Sequence, residues 1–372
     1  MKIPQFQPYL DQTEYESIKS CFDQNWITEG PKSKEFVAKL LKMMGVKYGV
    51  LAPNGTLSIY MALRAIGIKP GDEVIVPNFT FIASANAVEM CGAVPVFVDV
   101  KDNLHIDIEK CKKLVTKKTK AIMPVHVYGM ACDMDEVLLF AKNHNLKVVE
   151  DAAQGIAIKW NGKHVGTFGE VGSFSFFADK TITTGEGGLV VTNDEKIYER
   201  LLYIRNQGRI DRGSFIHPEI GYNFRMTDIQ SAIGLAQLTK LPEIIKKKTK
   251  ILKTYKKFLD KKINLIEPPK ESNHIPFRVC ITIEGGSQDL MNFMKSNEIE
   301  TRTFFYPLSD QPCYTQKNNS LIFKLKNLFS KPDDFEVSRK LYNEGVCLPS
   351  FVSITEEEIK FICEKINEYV RR

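Results

Sequence analysis

No CxxC pair, no cysteine cluster and no long apolar run occurs in this sequence, and each absence removes a class of protein. The eight cysteines (Cys21, Cys91, Cys111, Cys132, Cys280, Cys313, Cys347 and Cys363) are scattered. That scatter argues against a zinc site or a disulfide frame, so reduced core thiols in a cytoplasmic protein are expected. The opening MKIPQFQPYL contains no apolar signal core, and no secretory leader is expected. No stretch approaches the roughly 18 apolar residues of a membrane span, which leaves no membrane partner to expect. The net charge of +6 is spread along the chain without a zinc-finger or RNP-type signature, so nucleic acid is not an expected partner either. A mildly positive surface suits the recruitment of a small anion such as a sugar nucleotide. Internal repeats and low-complexity linkers are also missing.

What is present is an ordinary globular composition, 43% apolar and 26% charged, in 372 residues. A chain of that length exceeds what one hydrophobic core usually organises. From residue 48, short apolar runs alternate with amphipathic segments. YGVLA, EVIVP, VPVFVDV, KAIMPVHVYG and KVVEDAA read as strands; TLSIYMALRAIGI, FIASANAVEMCG and MDEVLLFAKNHN read as the helices between them. That alternation predicts an α/β domain with a mostly parallel sheet covered on both faces. TDIQSAIGLAQLTKL and EIIKKKTKILKTYKKFLD predict two helices split at Pro242, with the lysines of the second on a solvated face. Beyond residue 261 the strand–helix alternation thins to FRVCITI, DLMNFMKSN, IETRTFF and EEEIKFICEKINEYV, a small α+β unit. The expected division is a large domain over 1–245 and a bridging helix with the small domain over 246–372. Residues 315–335 are polar and irregular and predict a surface loop.

Ligands of open α/β sheets bind beyond the carboxyl ends of the strands, and three motifs fall there. In PNGTLSIY, Gly55 permits close backbone approach and Thr56 offers a hydroxyl at a helix start, which fits a phosphate cradle. A plain helix N-cap fits the same residues, Asn54 to Thr56. In VVEDAAQG, Asp151 ends an apolar strand, where a protonated ring nitrogen or a structural cation would satisfy its carboxylate, and Gln154 follows within reach of the same ligand. In GSFSFFADKTITTGEGG, Lys180 stands between an aromatic run and a glycine-rich turn, unlike the lysines of the charged runs. A desolvated lysine has its pKa lowered, and the neutral amine attacks carbonyls. Ser175, five residues earlier, offers a second hydroxyl for a phosphate. Pyridoxal phosphate carries the three matching handles: a phosphate, a ring nitrogen and an aldehyde. Of the six histidines only His126, after the strand AIMPV, faces this cleft, as a structural residue rather than an acid–base catalyst.

EDAAQG, SFSFFADKTITTGEGG and GYNFRMTDIQSAIGLAQL, with NWITEGP, GDEVIVPNFTFIASANAV and AIMPVHVYGMACDMD, resemble the DegT/DnrJ/EryC1/StrS sugar aminotransferases. The resemblance runs from about Pro4 to the C-terminus. It implies the fold-type I, aspartate aminotransferase-like architecture and pyridoxal 5'-phosphate as cofactor. The set is most similar to the perosamine-synthase branch, which aminates C4 of a nucleotide-linked 4-keto-6-deoxyhexose; glutamate is the implied amino donor. UDP- and dTDP-linked gluco sugars are the alternative substrates, and a non-catalytic regulator is the more distant reading. By the resemblance, Lys180 is the Schiff-base lysine and Asp151 the partner of the ring nitrogen. Phe81 stacks on the ring, and Gly55, Thr56 and Ser175 hold the phosphate. Asn223 reaches the phosphate of a second subunit, which implies a homodimer with shared active sites. Trp26, Tyr306 and Ser309 are the implied sugar contacts. Two departures from the family pattern stand out. Ser309 occupies a segment where related sequences often carry histidine, and DAAQ replaces the more usual DAAE.

Overall fold

The computed structural model describes residues 2–209, 213, 215–315 and 335–372. Seven strands make the main sheet: β1 (Tyr48–Ala52), β2 (Glu73–Pro77), β3 (Val94–Val98), β4 (Thr119–Ile122), β5 (Lys147–Asp151), β8 (Val171–Ser175) and β9 (Gly188–Thr192). Between β5 and β8 lies a small hairpin of β6 (Lys159–Trp160) and β7 (Lys163–His164). The order across the sheet is β1-β9-β8-β5-β4-β2-β3. Only β9 runs against the rest, pairing antiparallel with both β1 and β8. Strands β2, β3, β8 and β9 are buried at every residue. Near-continuous apolar runs are what a sheet covered on both faces requires. Each fully buried Val or Ile contributes about 1.5–3 kcal/mol.

The run KAIMPVHVYG is shorter as a strand than its composition predicts. β4 stops at Ile122, and the chain continues through a single bridge at Val125 into a turn over Val127–Gly129. Pro124 has no N–H for a central ladder, so it ends the pairing. Its carbonyl accepts the Asp151 N–H at 3.0 Å, which keeps the segment beside the end of β5.

The second sheet is antiparallel, in the order β10 (Asn264–Leu265), β11 (Val279–Thr282), β13 (Gly345–Leu348), β12 (Arg302–Thr303). Its outer face packs on the helices Ser287–Ser296 and Glu356–Val370. Its inner face, with Cys280, Cys347 and Phe304 just past β12, meets Phe79 and Tyr128 beyond the ends of β2 and β4.

The two helices expected around Pro242 are one helix, Asp228–Phe258, begun by a Thr227–Gln230 capping box and carrying Pro242 inside it. An interior proline costs about 3 kcal/mol. Here the helix is held on both sides of it, by Leu235, Leu241 and Ile244 in the large core and by Ile251, Leu252 and Tyr255 in the small one. Several such burials outweigh the proline. The same helix corrects the reading of its lysines as uniformly solvated. Lys248 is 4% exposed, and its Nζ donates to the carbonyls of Ser350 at 2.6 Å and Phe277 at 3.4 Å. The loop expected over 315–335 lies, at 316–334, outside the described residues. No described helix is long and apolar enough to cross a membrane.

Candidate active site

The carboxyl ends of β1, β2, β4, β5 and β8 open on one cavity of about 670 Å³, closed on the far side by the inner face of the second sheet. Of the residues singled out in the sequence, Gly55, Thr56, Phe81, Asp151, Gln154, Ser175, Lys180 and Tyr306 line it. Positions more than a hundred residues apart converge because each lies at or just past the end of a strand.

At the end of β1, the helix cap forms and the helix start faces the cavity. The Asn54 side chain caps the helix Gly55–Ala65 by accepting the Leu57 N–H at 2.9 Å. The first-turn N–H groups of Gly55 and Thr56 have no intrahelical acceptor and sit at the positive end of the helix. A Cβ on Gly55 would stand 2.8 Å from the Cβ of Ser175, so only glycine lets these two chain segments meet. The Ser175 hydroxyl, buried at the end of β8, accepts the Phe177 N–H at 3.3 Å and lines the same corner.

Asp151 closes β5 almost wholly buried. One carboxylate oxygen accepts the Ser84 hydroxyl at 2.7 Å and the other the Ala153 N–H at 3.1 Å. Burial nevertheless pushes its pKa up, against the pull of those bonds and of Lys180. A carboxylate accepts more than two hydrogen bonds, so Asp151 keeps capacity for a cationic donor in the cavity.

Lys180 is only 15% exposed at its side chain. Its Nζ lies 3.7 Å from Asp179 and 4.6 Å from the centre of the Phe277 ring. Burial lowers its pKa most; Asp179 and Asp151 oppose the shift, and Arg278 adds to it. Arg278 is engaged at 2.8 Å by the other oxygen of Asp179. The amine is thereby moved toward its nucleophilic form.

Phe81 is 60% exposed at the mouth, 6.4 Å from the Phe305 ring centre. The Gln154 Oε1 accepts the Tyr128 N–H at 2.5 Å, leaving its NH₂ group for a ligand. A glutamate would accept the same bond, so the change from DAAE keeps this contact. Ser309 is not among the lining residues. Its hydroxyl donates to Asp310 at 3.0 Å and accepts from Asn78 at 3.1 Å, just behind the wall. Trp26 and Asn223 also stand outside this cavity: Trp26 donates through Nε1 to the Glu29 carbonyl at 3.3 Å, and Asn223 is an exposed residue bridged to Asn206. His126 lines the cavity with both ring nitrogens occupied, Nδ1 by the Cys132 N–H and Nε2 by Glu150, each at 3.1 Å.

Sequence reasoning missed Ser84, Tyr128, Asp179, Phe277, Arg278 and Arg302. Asp179 had a signal, its place beside Lys180. Phe277 and Arg278 had none, since only tertiary folding brings FRVCITI against the lysine.

The donor set fits pyridoxal phosphate: a helix start with two hydroxyls for the phosphate, a buried carboxylate for a ring nitrogen, and a desolvated amine for an aldehyde. Comparison with known proteins points the same way. The chain is 40% identical to the GDP-perosamine synthase of Escherichia coli O157:H7 over 99% of this chain and 98% of that one. With the GDP-perosamine synthase of Vibrio cholerae the identity is 38%, covering 99% of both. Among solved structures, DesV of S. venezuelae superposes with a TM-score of 0.91 at 26% identity, covering 100% of this chain and 99% of that one. That likeness bears out the fold-type I architecture. The model of the DegT/DnrJ/EryC1/StrS aminotransferase family matches residues 8–367, and this chain belongs to that family of pyridoxal-phosphate enzymes.

Proposed function

We propose that the protein transfers an amino group from glutamate to C4 of a nucleotide-linked 4-keto-6-deoxyhexose, with the GDP-linked sugar as its substrate. One observation carries the reading: Lys180, Asp151 and the Gly55–Thr56–Ser175 corner line a single cavity in a chain 36–40% identical to three GDP-perosamine synthases. Bound pyridoxal phosphate supplies an aldehyde that condenses with amines and a ring that takes up electron density from a deprotonating carbon. The chain's own residues do the rest. Gly55, Thr56 and Ser175 bind the phosphate through N–H and hydroxyl donors, and Asp151 holds a proton on the ring nitrogen. Phe81 covers one ring face, and the Gln154 amide donates to the cofactor. The Lys180 amine, held low in pKa, takes a proton from the amino donor's carbon and delivers one to C4 of the sugar. The apolar wall of Phe277, Phe304 and Phe305 excludes water from those transfers. Tyr306 at the mouth, with Ser309 behind it, is assigned to the sugar; Trp26 belongs to this reading only if the sugar extends beyond this chain's cavity.

The reading includes a homodimer in which Asn223 serves the partner's cavity. Its support is position: Asn223 is exposed and outside its own cavity, in a segment whose Phe215, Ile220 and Tyr222 are exposed apolar residues. Exposed apolar patches of this kind mark interaction surfaces. Mixing Lys180→Ala and Asn223→Asp chains, with exchange proved by tags, should restore activity in one of two sites.

The substrate assignment is tested with a panel of 4-keto-6-deoxy sugars on GDP, UDP and dTDP, glutamate being the donor. The GDP sugar should turn over with the highest kcat/KM. Preference for a UDP- or dTDP-linked gluco sugar would replace the assignment, and turnover of none would remove it.

A further inference from the structure

The inner face of the second sheet carries two thiols that the proposed reaction does not use. Cys280 on β11 and Cys347 on β13 are directly paired across the antiparallel ladder, with their sulfurs 3.9 Å apart. The pair is of the narrow kind. Ile283 N–H donates to the Glu344 carbonyl, which fixes the hydrogen-bonded pairs at alternate positions and leaves Cys280–Cys347 between them. The Cys280 carbonyl points the other way, accepting the Ile266 N–H at 2.9 Å. Non-hydrogen-bonded antiparallel pairs have Cα atoms about 4.5 Å apart, within the span of a disulfide.

Cys347 also lines the active cavity. Burial raises its pKa, but the Cys280 thiol, Arg278 and the Tyr128 hydroxyl together bring it below the ordinary thiol value. Cys280 is shifted the opposite way, chiefly by burial. One sulfur is thus set up to attack, and the other to follow.

We propose that Cys280 and Cys347 are an oxidisable dithiol in the cavity wall, a modification site that a hydroperoxide converts to a cross-strand disulfide. The Cys347 thiolate attacks the distal peroxide oxygen, the O–O bond breaks, and the alcohol or water leaves with a proton. Cys347 is then a sulfenic acid. Cys280 attacks that sulfur; the S–S bond forms and water departs with the hydroxyl and the thiol proton. Two thiols have given two electrons to one hydroperoxide, and an external dithiol reverses the change.

Bonded to Cys280, the Cys347 sulfur can no longer become a thiolate, so the buried Tyr128 hydroxyl loses the charged neighbour that now perturbs it. The Tyr128 backbone binds both Gln154 and the N–H of Phe277, whose ring covers Lys180. Misplacement of such a shell lowers turnover by roughly tenfold or more. This last consequence rests on the proposed site being the active one; the thiol chemistry does not.

The holoenzyme is treated with hydrogen peroxide, alkylated and mapped by peptide mass. A Cys280–Cys347 linkage that dithiothreitol reverses, with activity lost and regained in step, supports the proposal. Oxidation confined to other cysteines, or Cys347 oxidised with Cys280 still alkylated, overturns it. Linkage with unchanged turnover of the GDP sugar refutes the coupling to the site. Cys280→Ser should stop at a Cys347 sulfenic acid that dimedone captures. If that variant does not fold, the wild-type map decides alone.

Discussion

Glu150 and Asp151 are consecutive residues of β5, both buried, and they face opposite sides of the strand. Glu150 is saturated. Its oxygens accept N–H groups from Gly166, Phe168 and Gly169 at 2.6–2.8 Å, and His126 stands at 3.1 Å. Asp151 has two donors and a cavity in front of it. The same contrast separates two lysines. Lys248 donates to two carbonyls, whereas Lys180 has an aromatic ring, a carboxylate already shared with Arg278, and open space. Burial alone therefore does not mark a functional charge. Unused bonding capacity beside a cavity does, because a buried charge without full compensation is costly to keep.

The largest expected break in that contrast is Lys180→Ala. Turnover should fall by at least about 10³-fold, the scale of a lost general acid–base group. Borohydride reduction of wild type should place a pyridoxyl label on the peptide carrying Lys180, and the variant should lose it. A label on the Lys248 peptide would reverse the assignment of the two lysines.

Asp151→Asn comes next. The amide cannot hold a proton on a ring nitrogen, so kcat should drop by roughly 10²-fold or more while the phosphate contacts keep the cofactor bound. Absorbance of bound cofactor and kcat, measured together, separate the two effects. The cofactor-free variant should be no less stable than wild type near neutral pH. Because burial raises the Asp151 pKa, that carboxyl adds its full stability below its unfolded value, and the contribution is lost as pH rises through the folded one. Near-normal turnover would make Asp151 a structural residue like its neighbour.

Two members of this contrast, Asp151 and Lys180, were singled out in the chain itself. Asp151 and Lys180 stood out because each follows a β-prone run and precedes small residues, and period-2 alternation puts Glu150 on the other face of β5. Three features could not be read locally. Phe277 and Arg278 reach the site from about a hundred residues away. Lys248 sits in a lysine run whose composition says solvent, and only the packing of Ser350 and Phe277 on its helix buries it. Pro242 breaks helices by its own chemistry, and here the two cores it lies between overrule it.

Glu150→Gln should act on the fold instead of the chemistry. An amide would set its NH₂ against N–H groups that now converge on a carboxylate, costing about 3–5 kcal/mol, the scale of a broken buried charge network. Urea unfolding should show the loss, while kcat per folded molecule stays within a few-fold. A variant with wild-type stability and collapsed kcat would erase the distinction between the two carboxylates.

The smallest effect is expected at Lys248. Methionine fills similar volume but leaves the Ser350 and Phe277 carbonyls without their donor, a loss of about 1–3 kcal/mol that removal of a buried charge partly offsets. Activity should change only a few-fold, through the Phe277 ring over Lys180. The sharper signature is in pH. Burial lowers the Lys248 pKa from 10.5 to about 7, with Arg278 adding to the shift and Asp179 opposing it. Between those values the unfolded chain binds a proton that the folded chain does not, so stability rises with pH across that window. Wild type should therefore gain on Lys248→Met as pH increases above about 7, read as diverging urea midpoints. Parallel pH profiles would mean that the two carbonyls keep Lys248 charged in the fold, and its saturation would then be stronger than its burial.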